Sequence, residues 1–139
     1  MTARYLLDTN ILSEASSLNG NAQVIAKLND NAPLAATAAV VMHELLYGCY
    51  RLPVSRRRNA LERYLTGLLS SSIPVLDYTI EAADWHAHER ARLSQVGRTP
   101  PYVDGQIAAI AAVNHLVLVT RNVADFADFQ NLPIENWFA

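Results

Sequence analysis

Residues 104–122 read DGQIAAIAAVNHLVLVTRN, and the fold turns on them. The first part is rich in alanine, a strong helix former. It runs without a linker into Leu116–Thr120, LVLVT, where apolar residues follow one another with no polar alternation. Such a run reads as a strand buried on both faces, as strands of parallel sheets are. Parallel neighbours need crossover connections, usually helices. A helix feeding straight into a doubly buried strand therefore predicts an α/β architecture.

The alternation extends in both directions from this stretch. Arg4–Leu7 predicts a short buried strand. Ala22, Val24, Ile25 and Leu28 give residues 21–29 a helical period, closed by Pro33. Leu34–Thr37 predicts a second strand and residues 38–50 a helix that ends before Pro53. Ser55 is placed to cap a helix whose apolar side is Leu61, Leu65, Leu68 and Leu69. A third strand is expected over 74–77, and a helix from the Thr79 cap to about Val96, with Gly97 just past its end. Beyond LVLVT, RNVADFADF predicts a loop entering a short helix, and LPIENW a short edge strand. At 139 residues, these elements predict one α/β domain over 1–139, built on a mainly parallel sheet.

Composition narrows the function classes. The net charge is −2, so no global basic field advertises a polyanionic partner, although a local site stays open. Lys27 is the only lysine; the other cations are arginines, which suit bidentate phosphate contacts. Cys49 is the only cysteine, which excludes an intrachain disulfide and a cysteine-based metal cage. The apolar run Tyr5–Leu7 is broken by Asp8, too short for a signal peptide. No stretch approaches the roughly 18 apolar residues of a membrane span. The expectation is a soluble, cytoplasmic protein.

Four acids deserve weighing. In open parallel sheets, ligands bind at the carboxyl ends of strands, near a topological switch point. Asp8 directly follows the first strand, and Asp125 lies just after LVLVT. Asp104 opens the helix that feeds that strand, and Glu44 lies in the helix after the second. Taken singly, each has a plainer reading. Asp104 suits a helix N-terminus, Glu44 a solvated helix face, and Asp125 a helix cap. Taken together they are a cluster whose repulsion a cation would relieve. Oxygen ligands favour Mg2+ or Mn2+, and such a site suits phosphodiester hydrolysis.

Other residues invite similar comparison. His86 and His88 are two apart on a helix, whereas zinc-binding helices use i,i+4 spacing; packing is the simpler reading. His43 and His115 read as surface or structural. Arg56, Arg57 and Arg58 stand at a helix start, either a solvated face or a phosphate contact. Arg98, in the loop VGRTPPY, is a candidate to hold a substrate backbone. Tyr47 and Tyr50 suit packing or a dimer contact.

LLDTNILSE, HELLYG, DGQIAAIAAVNHLVLVTRN, ADF and the terminal IENW, in that order, resemble the PIN-domain family, especially its VapC and FitB type toxin ribonucleases. The resemblance covers nearly the whole chain. It implies an α/β/α sandwich with a five-stranded sheet in the order 3-2-1-4-5. It also implies a Mg2+ or Mn2+ site and endoribonuclease activity on RNA. A homodimer, and a cognate antitoxin that blocks the acidic crevice, belong to the same implication. Carried over by position, Asp8, Glu44 and Asp104 match the family's first three acids, with Asp8 and Asp104 as metal ligands. Thr120 matches its small hydroxyl residue, with Asn10 a neighbour. The fourth acid has two candidate positions, Asn122 and Asp125, and TRNVADF points to Asp125.

Rival readings come from other acidic-pocket folds. A phospho-accepting receiver domain needs a lysine after a late strand, and Lys27 is too early. A haloacid-dehalogenase-type phosphatase needs an acid two residues after the first, where this chain has Asn10. A PIN-fold interaction module without catalysis is a third reading that the sequence leaves open.

Overall fold

The computed structural model describes residues 2–139. The chain runs β1 (Tyr5–Leu7), α1 (Thr9–Leu12), α2 (Ala22–Asn31), β2 (Ala35–Ala38), α3 (Ala39–Tyr50), α4 (Arg56–Ser70), β3 (Val75–Leu76), α5 (Ile80–Gln95), α6 (Tyr102–Val113), β4 (Val117–Val119), α7 (Val123–Phe126) and β5 (Ile134–Glu135). Short 3-10 turns follow α1 and α2. All strand pairs are parallel, in the order β3-β2-β1-β4-β5. This is the architecture and order that the resemblance implies. The order reverses between β1 and β4, so the switch-point crevice opens at their carboxyl ends.

Local chemistry explains the helix boundaries. Asn21 accepts from the Val24 amide, Ser55 from that of Arg58 and Thr79 from that of Ala82, each satisfying an otherwise unpaired N–H of a first turn. At the other end of α5, Gly97 takes the left-handed conformation (φ 72°) that a side chain disfavours. The Arg98 amide then reaches the Leu93 carbonyl at 2.8 Å, closing the helix. His115 does the same work after α6 without being a glycine (φ 56°), and the Leu116 amide bonds the Ala111 carbonyl at 2.9 Å. That tight exit is what lets α6 turn directly into β4.

Burial follows the sequence pattern. Leu6, Leu7, Leu118 and Val119 are inaccessible or nearly so, as strands covered on both faces must be. Ile107–Ala111 of α6 are all buried, and the alanines let that helix lie close to its neighbours. Trp137 closes one edge of the core with its ring edge-on to Tyr5, 5.3 Å between centroids. No helix among the described residues is long and apolar enough to cross a membrane.

Candidate active site

Asp8 stands where β1 stops. Its amide still donates to the Val119 carbonyl at 3.0 Å, so the β1–β4 ladder fixes the backbone up to the acid itself. The carboxylate then caps α1: Oδ1 accepts from the Thr9 amide at 2.8 Å. Oδ2 accepts from the Thr120 hydroxyl, at the end of β4, at 2.9 Å. With 6% exposure the group is buried, yet both its oxygens are held. The opening acid is thus both a helix cap and a wall of the crevice.

Thr120 Oγ1 is a junction. It donates to Asp8 and accepts from the Asn122 amide at 3.1 Å and, at a longer 3.4 Å, from Asn10 Nδ2. Asn10 Oδ1 in turn accepts from the Arg121 amide at 2.9 Å. Two sequence candidates therefore act as a clip that fixes the turn after β4. Asn122 meets the site through its backbone.

Asp104 lies in the first turn of α6, half-buried. Burial, then the charge of Asp125, then that of Asp8 push its carboxyl up to about 6. Burial likewise raises the Asp8 carboxyl, against the pull of the Thr9 and Thr120 hydrogen bonds and with a further push from Asp125. Asp125 thus faces the other two acids. It is not the cap of α7: Asn122 holds that position, and the Asp125 amide donates to the Asn122 carbonyl at 3.0 Å. The single turn of α7 brings the acid round, as an i,i+3 relation allows. Among the described residues, no ion pair reaches Asp8, Asp104 or Asp125.

This unbalanced charge has a pH signature. Without added metal, the folded protein retains protons on Asp104 that the unfolded chain releases. Its contribution to stability is fully present below the ordinary value of 3.8 and is lost as pH rises through about 6. Solvent screening limits the loss to about 1 kcal/mol, or about 4 °C in melting temperature. Thermal melts in EDTA between about pH 4 and 7 should show this fall, and Asp104→Asn should flatten it. An unchanged pH slope in Asp104→Asn would contradict the assignment.

Glu44 occupies a different wall. It is half-exposed and stands 3.8 Å from His43 Nδ1. With Thr9, Ser13, Arg51, Arg56 and Arg57 it lines an open cavity of about 1180 Å³. Glu44 is not among the charges that act on Asp8 or Asp104. The structure thus gathers Asp8, Asp104 and Asp125, and sets Glu44 in a cavity that Thr9, the neighbour of Asp8, also lines. It also separates the three arginines. Arg58 turns back to Glu62 at 3.0 Å and to the Leu52 carbonyl at 3.2 Å, while Arg56 and Arg57 face the cavity. Arg51, which the sequence reading passed over, joins them.

The remaining candidates lie elsewhere. Arg98 is exposed and sits 3.6 Å from Asp128. His86 and His88 point to different faces: His86 is buried with Nδ1 at 2.8 Å from the Tyr78 hydroxyl, and His88 is exposed. Tyr47 and Tyr50 are exposed, each under an arginine, Arg51 and Arg58 respectively.

Comparison with known proteins places this geometry. The PIN domain family profile matches residues 5–132. The tRNA(fMet)-specific endonuclease VapC of Shigella flexneri is 32% identical, over 96% of this chain and 98% of its own. Ribonuclease VapC2 of Rickettsia felis is 30% identical over 96% of this chain and 97% of its own. Among solved structures, a chain of Rickettsia felis VapBC2 bound to a promoter DNA fragment superposes with a TM-score of 0.82 at 27% identity, covering 96% of this chain and 98% of that one. FitAcB from Neisseria gonorrhoeae gives 0.84 at 26% identity, with the same coverage.

Proposed function

Because the chain belongs to the PIN-domain family, we propose that it is a VapC-type ribonuclease, the toxin of a toxin–antitoxin pair, using a divalent metal ion. The observation that carries this reading is the acid set itself. Asp8, Asp104 and Asp125 share the crevice at the switch point, two of them with raised carboxyl pKa values. No cation of the described residues pairs with them. Nor do three such side chains form a ready-made metal cage among the described residues. Mg2+ does not need one, since one or two carboxylates, waters and substrate phosphates complete its shell.

The residues divide the work. Asp8, with both oxygens already oriented, and Asp104 would hold the ion. Such an ion supplies Lewis acidity toward a phosphoryl oxygen and makes water a better nucleophile. Thr120 and Asn10 keep Asp8 and the turn after β4 in register. Asp125 adds charge from the open side. Glu44, on the cavity that Thr9 also lines, serves to orient the attacking water or a second ion. Arg51, Arg56 and Arg57 offer their guanidinium groups to phosphates of an RNA strand crossing the cavity.

A homodimer in the cytoplasm, silenced by an antitoxin seated over the acidic crevice, completes the reading. The VapBC2 and FitAcB assemblies among the structural relatives support a partner of this kind. Expression of the chain alone should then arrest growth, and the neighbouring small reading frame should relieve it.

The direct test is cleavage of single-stranded RNA by the purified chain. Cleavage should require Mn2+ or Mg2+ and stop in EDTA. Replacing Arg56 and Arg57 together by alanine should raise KM about tenfold with little change in kcat, and lower the salt dependence of binding by about 1.4 logarithmic units per decade, the share of two phosphate contacts on a single strand. Undiminished cleavage in EDTA overturns the metal reading, and no cleavage under any metal leaves an interaction module.

A further inference from the structure

One side of α5 touches α6, which carries Asp104, and the segment just beyond α7, which carries Asp125. His86, Glu89 and Arg92 are spaced i, i+3, i+6, so they stand along one helical face. At the first step, His86 packs on α6: a Cβ added to Gly105 would overlap its imidazole ring, and Gly105 adjoins Asp104. At the next, Glu89, 8% exposed, accepts from the Gln130 amide at 2.7 Å. Arg92 meets both oxygens of Glu89, at 2.8 and 3.0 Å, and also donates to the Asp128 carbonyl at 2.8 Å.

These bonds seize the backbone just beyond α7 at two points. Phe126 and Phe129, both buried, anchor the segment between the turn and the clamp. On the other side of α7, the Asn122 amide is held by Thr120 and the Arg121 amide by Asn10. Asp125 itself is exposed and has no hydrogen-bond partner of its own among the described side-chain contacts. Its position is therefore set by how α7 is held at each end.

We propose that Glu89 and Arg92 are positioning residues of the nuclease site: from α5 they hold the α7 turn so that Asp125 faces Asp104 and Asp8. The α5 helix acts as a ruler, with Asp104 set from His86 and Asp125 set from Glu89. The Arg92 guanidinium keeps the Glu89 carboxyl below its ordinary value, so the clamp stays ionised at neutral pH. The proposal rests on the metallonuclease reading for its functional consequence, and on the hydrogen bonds alone for its structural one.

The test uses the full chain and two readouts. Amide hydrogen exchange in metal-free protein reports the clamp without reference to activity. Glu89→Ala and Arg92→Met should each speed exchange across residues 123–130 at least tenfold while α3 and β1 keep their protection. Arg92→Lys, which can bond Glu89 but cannot span both partners, should fall between. The second readout is Mn2+ affinity, followed by the spin-resonance signal of free Mn2+ without RNA. Glu89→Ala should weaken binding about tenfold in the wild-type background and change it less than twofold in an Asp125→Asn background, since both act through one carboxylate. Equal losses in the two backgrounds, or native exchange in both clamp variants, would overturn the positioning role. If the wild-type chain binds no Mn2+, the metal reading fails by itself, and exchange still decides whether the clamp exists.

Discussion

RNA cleavage by the Asp8→Asn protein is expected to fall by about a thousandfold or more, with the fold retained. The rate loss follows from removing a buried charge whose two oxygens are aimed before any metal arrives. Electrostatic stabilisation by a bound metal amounts to several kcal/mol, and about 4 kcal/mol is a thousandfold in rate. Stability follows from opposing local effects. The asparagine Oδ1 can still accept from the Thr9 amide, so α1 keeps its cap. Its amide nitrogen then faces Thr120 Oγ1, which already accepts from Asn122 and Asn10. One donor is left poorly satisfied, at a cost of about 1–2 kcal/mol. Relief of repulsion with Asp125 and of carboxylate burial offsets this. The melting temperature in EDTA should therefore shift by no more than about 4 °C. Retained cleavage, with metal dependence intact, would remove Asp8 from the site.

Gly105→Ala is expected to destabilise the chain strongly. Alanine is the better helix former by about 1 kcal/mol, so an open site would gain. Here the new methyl overlaps the His86 ring. That ring is not free to withdraw: Tyr78 holds its Nδ1 at 2.8 Å, and Tyr102 packs at 5.0 Å between centroids. Relief must come from spreading α5 and α6, which costs about 3 kcal/mol by the usual penalty for overpacking. Circular-dichroism melts should show a fall of about 10 °C. His86→Ala, harmful alone, should recover part of the loss when combined with Gly105→Ala. A Gly105→Ala protein as stable as the parent would mean that the two helices are not held at this spacing.

Much of this was legible in the sequence because it depends on local order. LVLVT could only be a strand covered on both sides, and Ser55 and Thr79 are caps that act on the next three residues. Asp8 was legible for the same reason: an acid at the end of a buried strand needs a partner, and its first partner is the next amide. Asp104 needed the topology as well, since only the return of the chain to pair β4 with β1 brings α6 over that crevice. Asp125 required the phase of one short turn.

The arginines show where local reading stops. Arg56, Arg57 and Arg58 are chemically alike; Glu62, four residues on, is a local partner for Arg58, but only the turn from α3 into α4 also brings the Leu52 carbonyl to it and draws it away from the cavity. Arg51 was missed because its cavity is assembled from α1, α3 and α4. Glu89 and Arg92 carried a faint signal, an i,i+3 acid–base pair in HERAR, but such pairs usually stabilise a helix surface. Nothing in the sequence places Gln130 and Asp128 against them.

The sheet has its own consequence for how this chain meets others. Its outer strands, β3 and β5, are two residues long each. An edge strand is a template on which a foreign strand can zip up, and proteins shorten such edges to prevent it. Here either border presents too few free amides and carbonyls to seat an added strand. A growing cross-strand aggregate would find little purchase, even though half the chain is hydrophobic. Any specific partner must therefore grip the helical faces and loops, where side chains rather than a backbone ladder decide what fits.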